Sequence, residues 1–211
     1  MAPTASRRPG RPPAAKADET RKRIVDAARL VFSERGYDGA TFQAVAVRAD
    51  LTRPAINHYF SSKRALYREV VNQTNELVVA AGIRRAECET TLLGRLTAFI
   101  SAAMQANSEN PSASAFLVTT VLESQRHPDL NTTENDAVRM TREFLTRVVN
   151  DAIAHRELAA DIDAPAVVET LLVVLCGVGF YSGYVRSYRE MLAVTGVLRQ
   201  LLEGALWRPQ T

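Results

Sequence analysis

Apolar residues recur at helical spacing along almost the whole chain, and no two-residue alternation persists anywhere. Ile24, Ala27, Ala28, Val31 and Phe32 form one stripe of a first helix over Asp18 to Arg35, and Gly36 is placed to end it. Phe42, Val45, Ala46 and Ala49 give a second, narrow stripe. Asp50-Leu51 break it, with Leu51 as an inward plug, and Ala55, Ile56 and Phe60 mark the inner face of a short third helix. A long helix runs on from Ser62 through Leu66, Val70, Val71, Leu77, Val78 and Ala81. Further segments are predicted over Leu92–Asn107, from Pro111, over about Leu130–His155, from Pro165, and over about Glu190–Leu206. The pattern predicts an all-α chain.

The stretch from Thr41 to Lys63 organises the rest. Thr41 is a natural N-cap, because its hydroxyl can accept from a free amide of the first turn. Arg53 precedes a proline and is biased toward extended geometry, so Pro54 is expected as the first helical residue. Thr52 then lies just outside, with its hydroxyl available to a phosphate. Arg53, Asn57 and His58 are left facing outward. Two short helices with a tight turn between them, the second presenting polar side chains, is the layout of a helix-turn-helix whose second helix enters the major groove of DNA.

At these residues the chain resembles the tetracycline-repressor (TetR) family of bacterial regulators. The matching pieces are Thr41 to Ala49, Leu51-Thr52, Ala55-Ile56-Asn57-His58-Tyr59-Phe60 and Ser62-Lys63-Arg64-Ala65-Leu66. The likeness is strong from about Ile24 to Tyr67 and architectural beyond. It departs from the family in three places: Asp50 stands where Gly is usual, Pro54 where a small residue is usual, and Asn57 where an aromatic is common. Asp50 is therefore expected in a left-handed conformation, which Asp tolerates better than most residues.

The resemblance implies a flexible basic arm (1–17), an N-terminal three-helix DNA-binding domain (18–64), and a larger helical ligand-binding and dimerisation domain (65–211). It also implies His58 and Tyr59 as phosphate contacts, an effector pocket in the body, and pairing of the last two helices with their copies. A ligand-responsive repressor on a palindromic operator is the expected function.

Charge placement fits this division. Residues 1–64 hold 13 Lys/Arg and 6 Asp/Glu, and residues 65–211 hold 13 and 17, so a polyanion partner is expected for the first part only. Arg21, Lys22, Arg23 and Arg29 decorate the outer faces of the first helix, some toward phosphate. In the Pro-, Ala- and Arg-rich tail, Arg8-Pro9-Gly10-Arg11-Pro12 resembles an AT-hook core with an added proline. Arg7, Arg8 and Arg11 thus read as a minor-groove arm or as a general phosphate attractor.

Cys88 and Cys176 form neither a disulfide framework nor a zinc site, and no metal or cofactor is expected; a reducing cytoplasm is the simplest setting. The basic N-terminus has no apolar stretch after it, so no secretory signal is read. Thr170 to Val185 lacks charge but falls short of the roughly 20 residues needed to span a bilayer, so no membrane partner is expected.

Arg can hold guanine O6 and N7 with two bonds and Asn can hold adenine N7 and N6, so Asn57 reads as a base contact and Arg53 as a base or phosphate contact. Lys63, behind Ser61 and Ser62 at a helix N-terminus, reads as a phosphate contact. In the body, Phe99, Met104, Phe116, Met140, Phe144 and Tyr181 read either as plain core or as the wall of a pocket for a mostly apolar effector. Leu172, Leu175, Gly179, Leu198, Leu202 and Ala205 are the expected dimer face.

An enzyme has no support: no nucleophile elbow, phosphate loop or metal-ligand cluster is present, and His127 and His155 have no evident partners. The alternative is an architectural or activating DNA-binding protein without a small-molecule ligand.

Overall fold

Ile24, Val25, Ala28, Val31 and Phe32 bury one side of the first helix completely, and the N-terminal helices gather around that side. The computed structural model describes residues 13–110, 112–130, 136–185 and 187–206. Among them the elements are all helical: α1 (Pro13–Gly39), α2 (Phe42–Arg48), α3 (Arg53–Tyr59), α4 (Lys63–Asn75), a π-helical turn (Glu76–Ala80), α5 (Ala81–Ala86), α6 (Leu92–Glu109), α7 (Ser112–Arg126), a 3-10 turn (Pro128–Leu130), α8 (Ala137–Ala154), α9 (Ala164–Val185) and α10 (Tyr188–Leu202). The expected arm residues Arg7, Arg8 and Arg11 lie outside the described residues.

Caps set the boundaries. Thr41, Thr52 and Ser62 each accept a hydrogen bond from the amide three residues on, at 3.1, 3.3 and 3.1 Å. Thr52 thus caps α3, and Arg53 rather than Pro54 is its first residue; Pro54 tolerates the next position because its missing N–H has no partner in the first turn anyway. Asp136 caps α8 through the amides of Val138 and Arg139, so this helix begins at Ala137 rather than near Leu130.

Two cores form. The first joins α1 to α4 and includes Tyr67 and Val70, together with Phe116 from α7 and Leu130. Phe116, expected at a ligand pocket, is instead fully buried here, its ring centroid 5.7 Å from that of Tyr67 and 6.4 Å from that of Phe32. The second core lies among α5, α6, α8, α9 and α10, with Phe99 stacked on Phe144 at 5.4 Å. Gly82 permits the closeness of α5 to α6, since a Cβ there would lie 2.9 Å from the Phe99 ring.

Helix α9 is 22 residues long, which is enough to cross a membrane by length and composition, so the argument from its shortness does not hold. One face of it packs within the protomer. Val168, Leu171, Leu172 and Leu175 enter the second core, and Glu169 pairs with Arg142 at 2.6 Å. Leu172 and Leu175 are therefore inside the protomer and not on a dimer face. The outward stripe of α9 is Val173, Phe180 and Tyr184, between 60% and 77% exposed, and it continues onto α10 as Leu192, Val197 and Leu201. Leu202 and Ala205 are exposed beside it, while Leu198 is partly buried against the core.

Candidate nucleic-acid interface and effector cavity

The turn between α2 and α3 is closed by main-chain bonds from Asp50 to Val47 (3.2 Å) and from Leu51 to Ala46 (2.9 Å). Asp50 sits at φ 50°, the left-handed geometry expected of it. Arg23 donates to the Asp50 carbonyl at 3.2 Å and pins this turn to α1. Ile56 and Phe60 hold α3 against the core and leave Thr52, Arg53, Pro54, Asn57 and His58 exposed. Tyr59 is partly buried, edge-on to His58 at 5.3 Å. Among the described residues Arg53 and Asn57 make no hydrogen bond or ion pair, so their donors and acceptors are available to a partner.

Several other basic side chains of these helices are spent internally. Arg29 is 1% exposed, and its guanidinium donates to Thr74 Oγ1 at 3.0 Å and to Asp26 at 3.1 Å. Arg21 is bonded to Glu69, whose carboxyl it holds below the usual range, and lies over the Phe60 ring. Arg48 is paired with Glu34 at 2.6 Å.

Lys63, expected on a phosphate, donates to the Tyr37 and Asp38 carbonyls at 2.8 and 3.3 Å and lies 4.4 Å from the centre of the Tyr37 ring. Its ammonium satisfies carbonyls at the end of α1 that no intrahelical donor reaches. The serine and lysine spacing at the N-terminus of α4 gave no sign of this, because the acceptors lie 25 and 26 residues back.

Elsewhere on the N-terminal helices, α7 meets the end of α1. His127 lies 3.1 Å from Asp38 and 3.6 Å from Glu123, and packs on the Tyr37 ring. The histidine that seemed to lack partners is thus part of the joint between α7 and the end of α1. Gly36 adopts φ 67°, ψ −179°, and a Cβ there would lie 2.7 Å from the Glu123 carboxylate. Arg64 pairs with Asp129 at 3.0 Å beside it. Burial pushes the Tyr67 hydroxyl well above its ordinary range, so it stays protonated within this joint.

Further back is an apolar cavity lined by Val78, Val79, Phe99, Met104, Leu117 and Phe180, among others, with no charged side chain among the described residues of its wall. Of the six expected pocket residues, Phe99 and Met104 line it. Phe144 is behind Phe99 on the far side, Met140 is on neither wall, and Tyr181 turns outward toward Tyr184. Gly179, expected at a dimer face, lines the cavity instead. Desolvation holds the Cys176 thiol up, so it stays neutral and adds no charge to the lining.

Residues 24–70 match the family described as bacterial regulatory proteins, tetR family. The regulator UidR of Escherichia coli (strain K12) is 26% identical over 163 residues, covering 77% of this chain and 81% of that one. The transcriptional activator FasR of Mycolicibacterium smegmatis is 38% identical over 74 residues, 35% of this chain and 33% of that one. Among solved structures, Salmonella enterica GusR aligns at TM-score 0.67 with 25% identity over 88% of this chain and 94% of that one. FadR of Bacillus subtilis, solved with stearoyl-CoA, shares the fold at TM-score 0.70 and 16% identity, over 86% and 96% of the two chains.

Proposed function

For a chain that belongs to the tetR family of bacterial regulatory proteins, we propose the role of ligand-responsive transcriptional repressor, working as a homodimer on a palindromic operator in the bacterial cytoplasm. Residues 18–64 are the DNA-binding domain in this reading, with 1–17 as a basic arm in the adjoining minor groove and 65–211 as the effector-binding and dimerisation body. Arg53 and Asn57 read base edges. Thr41, Thr52, His58 and Tyr59 hold the phosphates on either side, and Pro54 stiffens the first turn of the reading helix at the groove.

One observation carries the proposal. A single helical run, α4 through the π-helical turn to α5, begins at Lys63 against the end of α1 and supplies Val78 and Val79 to the cavity wall. The π-helical turn widens the helix where it meets the cavity, a feature that recurs at functional sites. A small, mostly apolar molecule that favours one position of this run over another shifts the reading helix with it. The outward stripe Val173, Phe180, Tyr184, Leu192, Val197 and Leu201 supports pairing of α9 and α10 with their copies, and a two-fold dimer reads two half-sites about 34–36 Å apart.

The test is selection of bound duplexes from a random pool, followed by a screen for compounds that release the best one. An enriched inverted repeat with releasing compounds is expected. Nearly equal affinity for selected and random duplexes across a salt titration marks an architectural binder and overturns the reading. The likeness to the activator FasR supports activation as a second reading. Transcription in vitro from the selected site distinguishes the two by its sign.

A further inference from the structure

A second hollow lies between the body and α1. It is lined by Ser33 of α1, by Asn107, Ser108 and Ser112, and by Ser187. Met104 and Ser182 line this cleft and also the apolar cavity, so the partition between the two is one side chain thick. Met104 is 5% exposed, in contact with the Thr195 hydroxyl at 3.7 Å. A methionine is unbranched, with three rotatable bonds and a polarisable sulfur, and swings aside at low cost.

The polar side has unmet hydrogen-bonding capacity. Asn107 donates weakly to the Ser182 carbonyl at 3.5 Å, while its Oδ1 is buried with no partner. Such an oxygen asks for a donor. The Ser33 hydroxyl donates to the Arg29 carbonyl at 2.8 Å and keeps its lone pairs for an incoming group. Among the described residues lining the cleft there is no Lys, Arg or His, and the one carboxylate, Glu34, is already bound by Arg48. Among these residues an anionic group finds no counter-charge, and a carboxylate brings no donor for the Asn107 oxygen.

We propose that the cavity and the cleft are two halves of one effector site, gated by Met104. It takes an amphipath: an apolar tail among Phe99, Leu117 and Val79, and an uncharged, hydroxyl-bearing head against Asn107 and Ser33. The head then lies beside Glu34, whose bond to Arg48 ties α1 to α2 of the helix-turn-helix. This rests on the reading of the chain as an effector-responsive regulator and adds the ligand class and the point of action.

The test uses calorimetric titration of the full-length protein with 1-monooctanoylglycerol, octanoate, glycerol and ethylbenzene. The glyceride should bind at least about ten-fold more tightly than octanoate, with glycerol inert. Asn107→Leu should weaken the glyceride about ten-fold and leave the wholly apolar ethylbenzene unchanged. Ser33→Ala, on a hydroxyl bonded only to its own helix, gives the same comparison if Asn107→Leu fails to fold. Octanoate binding as tightly as the glyceride, or variants that weaken both probes alike or neither, overturns the proposal. Glyceride that binds as described but leaves the protein on its selected duplex counts against the effector reading and not the two-part site. A releasing compound indifferent to both variants does the reverse.

Discussion

The imidazole of His127, at the end of α7, lies 3.1 Å from the carboxylate of Asp38, 89 residues earlier at the end of α1. It ties α7 of the helical body directly to α1 of the N-terminal helices. With the Tyr37 ring tilted against it and Glu123 within 3.6 Å, His127 gives motion of α7 a fixed point to push on.

Replacing His127 by Ala should therefore weaken the link and spare both ends. The expected result is an unchanged effector affinity in DNA-free protein and a smaller effector-driven release, within the roughly 1–3 kcal/mol typical of such coupling. Release curves on the selected duplex, with and without the substitution, measure it. Superimposable curves would remove His127 from the coupling route.

Gly36 is the position where the joint leaves least room. Its φ of 67° with ψ near 180° is a region that L side chains almost never occupy, and a Cβ meets the Glu123 carboxylate. Gly36→Ala should cost about 1–3 kcal/mol in chemical denaturation. A change under about 0.5 kcal/mol, the usual range for a surface substitution, would show that the backbone relaxes at no cost.

Arg53→Ala and Asn57→Ala should each relax preference at one base pair per half-site by about 1–3 kcal/mol, leaving the melting temperature alone. Lys63→Ala should do the opposite. Because its ammonium ties down the end of α1, its loss should lower the melting temperature and weaken all duplexes alike. Competition binding on single-base variants of the selected site, read beside melting curves, separates the two classes. A new base preference in the Lys63 variant would contradict its placement.

The Arg21–Glu69 pair gives a pH dependence with a defined sign. The Arg21 hydrogen bond lowers the folded-state pKa of Glu69. Its stabilisation is complete above the unfolded carboxylate value, about 4.3, and is lost as pH falls through the lower folded value. Wild-type protein should lose melting temperature on acidification over that window, and Glu69→Gln should flatten this part of the curve. The pair is partly exposed, so the effect is modest and salt-sensitive. Parallel curves for the two proteins would mean that the bond contributes nothing to stability.

The sequence by itself determined what is local. Stripes at i, i+3 and i+4, a hydroxyl cap at Thr41, and an Asp where the turn needs positive φ specify the helix-turn-helix within one residue at each end. They also leave Asn57 facing out. Each is decided by interactions among residues less than about two helical turns apart, and those are written in order along the chain.

Only the tertiary structure decided which face of an evenly apolar helix turns inward. On α9, Leu172 and Leu175 entered the core while Val173 and Phe180 stayed outside, because the choice depends on what packs opposite and not on the helix's own pattern. The same reason took Arg29 from the expected DNA face into a buried bond with Thr74, carried Phe116 into the N-terminal core, and gave Lys63 and His127 partners at the end of α1. Those partners lie 25 to 89 residues away, and neither spacing nor residue type announces a contact across such a distance.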